Sequence, residues 1–293
     1  MNYPIVLAHG IAPFDAIYRP FLKWLRKYLS NDPDNHDYFK GIASHLRRNG
    51  FTVFAPRVDF AGRVSQRAKE LAQEVRKILD ETGSAKVHVI AHSMGGLDAR
   101  HMIVDEDMQD SVATLTTIGT PHFGTTFADK GLEQAGGLVD FFLKMGFDLR
   151  GFKDLQTEAA VAFNQRAQKT EADNPVHYVV YAAKQDKNRV FSLLKPSWEI
   201  IHEEEGENDG LVSVTSQFWT SALTGEDGQK AIKQEEFPIE ADHLNELGWW
   251  DVDQLHGTRW WNFNLKKKIR AFADQVKATY LKMAEDAERL VAP

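Results

Sequence analysis

Ser93 sits in the stretch VHVIAHSMGGLDAR, Val87 to Arg100, behind a strand-like apolar run and just ahead of Gly95 and Gly96. A chain that turns sharply from strand to helix strains the residue at the turn and needs small neighbours, so that the helix can pass close to the strand. The two glycines supply that room. The turning residue then projects its side chain at the carboxyl edge of the sheet, exposed and polarised by the helix N-terminus beneath it. A serine hydroxyl in that place can act as a nucleophile, provided that a base takes its proton and an acid fixes the tautomer of that base and stabilises the imidazolium.

The turn matches the nucleophile elbow of α/β-hydrolases, usually G-x-S-x-G and here A-H-S-M-G, with Ala91 in the first glycine place. In that fold the acid and then the histidine follow the serine along the chain. Asp209 in ENDGLVS has the best local signature for the acid, because an Asp-Gly turn followed by an apolar pair holds a carboxylate at a strand end. Asp227 in GEDGQ is the second choice, in a more polar setting. The histidine is His243 in EADHLNELGWW or His256 in DQLHGTRWW. His243 is preferred, since Asp242 and Leu244 place it in a loop running back to the core. An oxyanion hole needs two backbone N–H groups aimed at the tetrahedral oxygen. Met94, which follows the serine, offers one; Ile11 in LAHGIAPFD offers the other, with Gly10 letting the backbone approach. His9, His92 and His122 read as structural braces.

The elements that must hold these residues alternate between strand and helix, the pattern of a mostly parallel sheet flanked by helices. PIVLAH, FTVFAP, KVHVI, VATLTTIGT and PVHYVVYAA read as strands. DYFKGIASHLRRNG reads as a helix closed by Gly50, and SQRAKELAQEVRKILDETG as an amphipathic helix ended by Gly83, with Ala68, Leu71, Ala72, Val75, Ile78 and Leu79 at three- and four-residue steps. NFNLKKKIRAFADQVKATYLKMAEDAERL supplies a long helix near the end. Residues 1–293 are expected to form a single α/β-hydrolase domain. Two regions break the alternation: Asp15 to His36, read as an insertion ending in a polar loop, and Gly131 to Gly151, read as a helical lid or cap. In the second, Leu132, Ala135, Val139, Phe142 and Leu143 form one apolar stripe and Leu138, Phe141, Met145 and Leu149 another. Leu138, Phe141, Phe142 and Met145 are the expected substrate-binding residues.

Composition narrows the partners. A net charge of −7 with no basic block argues against nucleic acid. The absence of cysteine excludes disulfides, thiolate metal sites and a cysteine nucleophile. No apolar run reaches the roughly 18 residues that span a bilayer. NYPIVLAHG reads as a first strand rather than a secretion leader, so a mature or leaderless soluble chain is expected.

YPIVLAHGIAPFD, VIAHSMGGLDAR, TTIGTPHFGTTFAD, NDGLV and DHLNEL resemble, in order and spacing, the bacterial true lipases of family I, the pseudomonad and Proteus-like triacylglycerol lipases. The resemblance runs from the first strand to His243. It implies Ser93, Asp209 and His243 as the triad, Ile11 and Met94 as oxyanion donors, and a lipophilic ester as substrate, met at a lipid–water interface. The sequence departs from that family at Ala91, in the insertion before Asp37, in lacking the cysteines of the pseudomonad branch, and at Asn245. The resembled lipases bind a structural calcium through an aspartate in the Asn245 position. An amide lacks that carboxylate's charge, so a weak or absent calcium site and no required cofactor are expected, with Asp251 and Asp253 as the other carboxylates nearby. The same triad would serve a short-chain esterase or an acyltransferase. A non-catalytic binding module is disfavoured because no triad member is missing.

Overall fold

The computed structural model describes residues 3–11, 38–60, 62–134, 149–226, 228–250 and 263–292. In chain order its elements are β1 (Ile5–Ala8), α1 (Ile42–Arg48), β2 (Val53–Phe54), α2 (Val64–Thr82), β3 (Val87–His92), α3 (Met94–Asp105), β4 (Val112–Ile118), α4 (Thr126–Gln134), α5 (Leu149–Lys153), α6 (Thr157–Asp173), β5 (His177–Ala182), α7 (Lys195–Glu205), α8 (Val214–Gln217), β6 (Ala222–Thr224), β7 (Gln229–Ala231), β8 (Lys233–Glu236) and α9 (Phe263–Leu290). Six strands pair in the order β2-β1-β3-β4-β5-β8, every pair parallel, while β6 and β7 form a separate antiparallel pair.

Every residue of β1, β3 and β4 is buried, as expected of central parallel strands covered on both faces. The period of two divides their side chains. Ile5, Leu7 and Ile90 join a cluster with Ile42 and Leu46 of α1 and Val276, Tyr280 and Met283 of α9. Val6, Ala8, Val87, Val89 and Ala91 join Leu71 and Val75 of α2 and Met102 and Ile103 of α3. The α2 stripe read from the sequence is the face that is buried, and the helix ends at Gly83 in a left-handed conformation. His92 falls on the α1 and α9 side of β3, in register with Ile90, and this places it behind the serine turn.

Two expectations need correction, and one strand was not foreseen. The first helix begins at Ile42 rather than near Asp37, because Gly41 adopts a left-handed φ of 65° and residues before it turn. Asp209 lies in a turn between α7 and α8, not at a strand end; its Asp-Gly pair bends the chain, and Gly210 takes a φ of 100°. The outer strand β8, KQEE, was not anticipated: its charged residues conceal a strand that, among the described residues, pairs on one side only, and lysine and glutamate discourage further pairing there. Asp227, His256, Asp251, Asp253 and residues 135–148 of the expected cap, with Leu138, Phe141, Phe142 and Met145, lie outside the described residues.

Candidate active site

Ser93 occupies the single residue between β3 and α3 with φ 57° and ψ −134°; among the described residues only Asp107 shares a positive φ without being glycine. Such a conformation costs on the order of 1–3 kcal/mol and persists only when the surroundings hold it. Here the Ser93 N–H donates to the Ile118 carbonyl across the sheet at 2.9 Å, and its own carbonyl accepts the Thr120 hydroxyl at 2.9 Å. Gly95 passes so close to β1 that a Cβ there would stand 2.5 Å from the Ala8 carbonyl oxygen, and one on Gly96 would overlap the Thr120 side chain. The two glycines do what the sequence asked of them.

The serine is not exposed, as expected from the elbow alone, but only 6% accessible. It lies in a pocket whose walls include Ile11, Phe127, Phe152, Leu155, Leu211 and Val212, and His243 opens onto the same pocket. The apolar residues give the approach to the serine a lipophilic lining. Apart from Ile11, these wall residues were missed by sequence reasoning, although Leu211 and Val212 directly follow the Asp209-Gly210 turn and Phe127 lies in the quoted TTIGTPHFGTTFAD stretch.

Asp209 and His243 come together: His243 Nδ1 stands 2.8 Å from Asp209 Oδ2, and the His243 backbone N–H donates to the Asp209 carbonyl at 2.9 Å. Both side chains are almost wholly buried. Asp209 Oδ1 accepts the Leu211 and Val212 N–H groups, each at 2.8 Å, and Oδ2 accepts Gln217 Nε2 at 3.2 Å. A carboxylate so surrounded takes the proton-bearing Nδ1 of the imidazole, which turns the unprotonated Nε2 outward as a base.

Met94 is the first residue of α3, so its N–H has no acceptor within the helix. Ile11 lies on the pocket wall. The loop leading to Ile11 is held by His9, whose Nε2 accepts the Val58 N–H at 3.1 Å and whose Nδ1 contacts the Gly10 carbonyl at 2.9 Å. Burial, and then the neighbouring Arg67, push the His9 pKa down to about 3. Arg67 donates to the His9 carbonyl at 2.8 Å and to Asp98 at 2.6 Å. His9 is thus a neutral brace, as read from the sequence. His122 is another, stacked on Trp219 with its Nε2 3.0 Å from the Thr117 hydroxyl.

Calcium takes a shell of oxygen ligands, and in the described part of the loop around His243 two candidate side chains are engaged in hydrogen bonds. Asn245 Oδ1 accepts the Asp242 N–H at 3.2 Å, and its Nδ2 donates to the Trp249 carbonyl at 2.8 Å. Asp242 Oδ1 accepts the Leu244 and Asn245 N–H groups and Oδ2 that of Phe191. The Asn245 and Asp242 side-chain oxygens thus each face an N–H group. Among the described residues, His92, His243 and Glu246 bring possible ligand atoms within 4.8 Å of one another. Two imidazoles with one carboxyl do not suit calcium, and His92 and Glu246 are already hydrogen-bonded to each other at 2.9 Å.

Residues 3–188 match the model of a family described as alpha/beta hydrolase fold. Triacylglycerol lipase 2 of Saccharomyces cerevisiae is 29% identical over 247 residues, 74% of this chain and 74% of that protein. A triacylglycerol lipase of Vibrio cholerae is 35% identical over 141 residues, 47% of this chain and 39% of that protein. Among solved structures, a lipase of Staphylococcus hyicus superposes with a TM-score of 0.65 at 17% identity, over 99% of this chain and 96% of that one.

Proposed function

The chain belongs to the alpha/beta hydrolase fold family, and from that premise we propose that it is a serine carboxylic ester hydrolase, a triacylglycerol lipase related to the bacterial true lipases of family I. The observation that carries the reading is the 2.8 Å contact of His243 Nδ1 with Asp209 Oδ2 in the pocket that holds Ser93 at its strained turn. His243 Nε2 takes the Ser93 proton as Oγ attacks the ester carbonyl, and the Met94 and Ile11 N–H groups receive the developing oxyanion. The protonated imidazole then gives its proton to the leaving alcohol. In the second half His243 deprotonates a water, which attacks the acyl-enzyme, and the imidazolium returns the proton to Ser93 Oγ as the acid is released. The apolar wall formed by Phe127, Phe152, Leu155 and Leu211 suits an acyl chain.

The test is a series of triglycerides from short to long acyl chains, assayed below and above the concentration at which each forms an interface. Long-chain emulsions are expected to be hydrolysed, with a rise at the interface; activity confined to dissolved short-chain esters would make the protein an esterase. The apolar stripes in the sequence of Gly131 to Gly151 support reading the segment as a lid or cap. Phe141→Ser with Phe142→Ser is therefore expected to depress hydrolysis of emulsions far more than that of a soluble short ester.

No calcium is required in this reading, because the Asn245 amide and the Asp242 carboxyl are engaged within the loop. Activity and melting temperature are expected to stay within about a few per cent and 1 °C, respectively, on addition of EDTA. A fall of many degrees, reversed by calcium, would overturn this.

A further inference from the structure

Beneath the triad a second set of buried groups runs from the Asp209 carboxylate to the oxyanion loop. Glu246 Oε2 lies 2.9 Å from His92 Nε2, His92 Nδ1 lies 2.8 Å from the Tyr38 hydroxyl, and that hydroxyl accepts the Gly10 N–H at 3.0 Å. The other Glu246 oxygen, Oε1, meets no donor in this wholly buried site. Among the described residues, the carboxyl of Asp209 lies within hydrogen-bonding reach of the Glu246 side chain. Two carboxylates cannot share such a contact without a proton between them.

The partners decide which of the two carries it. Asp209 accepts from four N–H groups, those of Leu211, Val212, Gln217 and His243, whereas Glu246 accepts from one. The negative charge belongs where the donors are. We infer that Glu246 is a positioning residue for hydrolysis, a neutral carboxylic acid that accepts from His92 and donates to Asp209. The inference rests on the proposed triad.

The polarity of the whole chain follows. Glu246 has one proton and two oxygens to satisfy; with Oε1–H given to Asp209, Oε2 must receive the His92 Nε2–H. His92 is neutral, its pKa driven well below the ordinary imidazole value by burial and then by His243, so Nδ1 is an acceptor and the Tyr38 O–H donates to it. Tyr38 in turn receives the Gly10 N–H. Every link has a single direction, from the oxyanion loop to the triad acid. The backbone is shaped to admit it: Gly119, at the end of β4 with φ 58°, lies against the Glu246 carboxyl, and any Cβ there would overlap it. Among the described residues, His243, Asp242 and Tyr280 also face Glu246.

The direct test is difference infrared spectroscopy of wild type against Glu246→Gln at pH 8, where Asp98 and Asp242, both pushed up to about 6 by burial, are ionised. The carbonyl stretch of a protonated carboxylic acid is expected to disappear in the variant. This readout holds whether or not the chain hydrolyses any ester. Kinetically, glutamine preserves one donor and one acceptor, so Glu246→Gln is expected to retain kcat within about threefold, while Glu246→Leu loses about 30-fold or more with KM little changed, since it removes both links. The acid limb of kcat/KM separates this role from that of a second charged acid. An ionised Glu246 would favour the His243 imidazolium, and its replacement by glutamine would move the acid limb about one unit to lower pH; a neutral Glu246 leaves it within about 0.3 unit. Absence of the infrared band, a one-unit displacement, or a leucine variant as active as wild type would each overturn the inference. If the leucine variant does not fold, the infrared and glutamine measurements still decide.

Discussion

Ser93→Ala is expected to lower ester hydrolysis by about 10⁴- to 10⁶-fold while leaving the fold intact. Removing the hydroxyl removes the atom that becomes acylated, and the activity that remains comes from the oxyanion donors and the apolar wall alone. Stability should scarcely change, because the contacts that hold residue 93 in place are made by its backbone: the N–H on the Ile118 carbonyl and the carbonyl under the Thr120 hydroxyl. Alanine keeps the unfavourable φ, so the melting temperature should lie within about 2 °C of wild type. Ser93→Gly makes the same point from the other side. It abolishes activity equally and relieves on the order of 1–2 kcal/mol of strain, and so should melt a few degrees higher. Kinetics on a soluble ester together with thermal melts check both. More than about one per cent of wild-type activity in Ser93→Ala would place the nucleophile elsewhere.

Asp209→Asn should cost about 10⁴ in kcat, and the hydrogen bonds say why. With the carbonyl oxygen of the new amide retained on the Leu211 and Val212 N–H groups, its NH₂ must face His243 Nδ1 and Gln217 Nε2. Donation to Nδ1 drives the imidazole proton to Nε2, the nitrogen that has to accept from Ser93. Gln217 cannot relieve the clash by turning over, because its Oε1 accepts the Ala183 N–H at 2.7 Å and its Nε2 donates to the Ala183 and Val212 carbonyls. Two donors then confront each other in a buried site, at about 1–3 kcal/mol of stability, measurable by urea unfolding. Near-normal kcat in this variant, with loss in Asp227→Asn instead, would reassign the acid.

Much of this site is legible in the chain because its parts are local. The serine turn needs only Ser93, Gly95 and Gly96, which are near neighbours, and the Asp-Gly pair at 209–210 announces a turn wherever it falls. The alternation of apolar runs with amphipathic helices also carries the parallel sheet, since strands buried on both faces read as continuous hydrophobic segments. What is not local was missed. Tyr38 and Glu246 stand far apart in the chain and meet the same histidine, His92, only because the fold gathers their loops behind the serine turn; neither carries a mark in its own neighbourhood. The pocket wall is likewise assembled from Phe127, Phe152, Leu155 and Leu211, whose apolarity reads equally well as core. Strand β8 escaped because an outer strand exposes charge instead of alternating it with a buried face.

The covering of β1 and β3 by α9 bears on how the protein is made. Ile5, Leu7 and Ile90 are in place early in synthesis, yet Val276, Tyr280, Met283 and Ala284, which share their cluster, emerge after every strand they cover. At about 5–20 residues per second the interval between Ala8 and Phe263 is on the order of 10–50 s, during which one face of the nascent sheet has no partner helix from this end of the chain. Ribosome-bound intermediates of this length should therefore recruit holdase chaperones through that face. A shortened chain that stops before Phe263 should accumulate as insoluble protein even though it retains Ser93, Asp209 and His243.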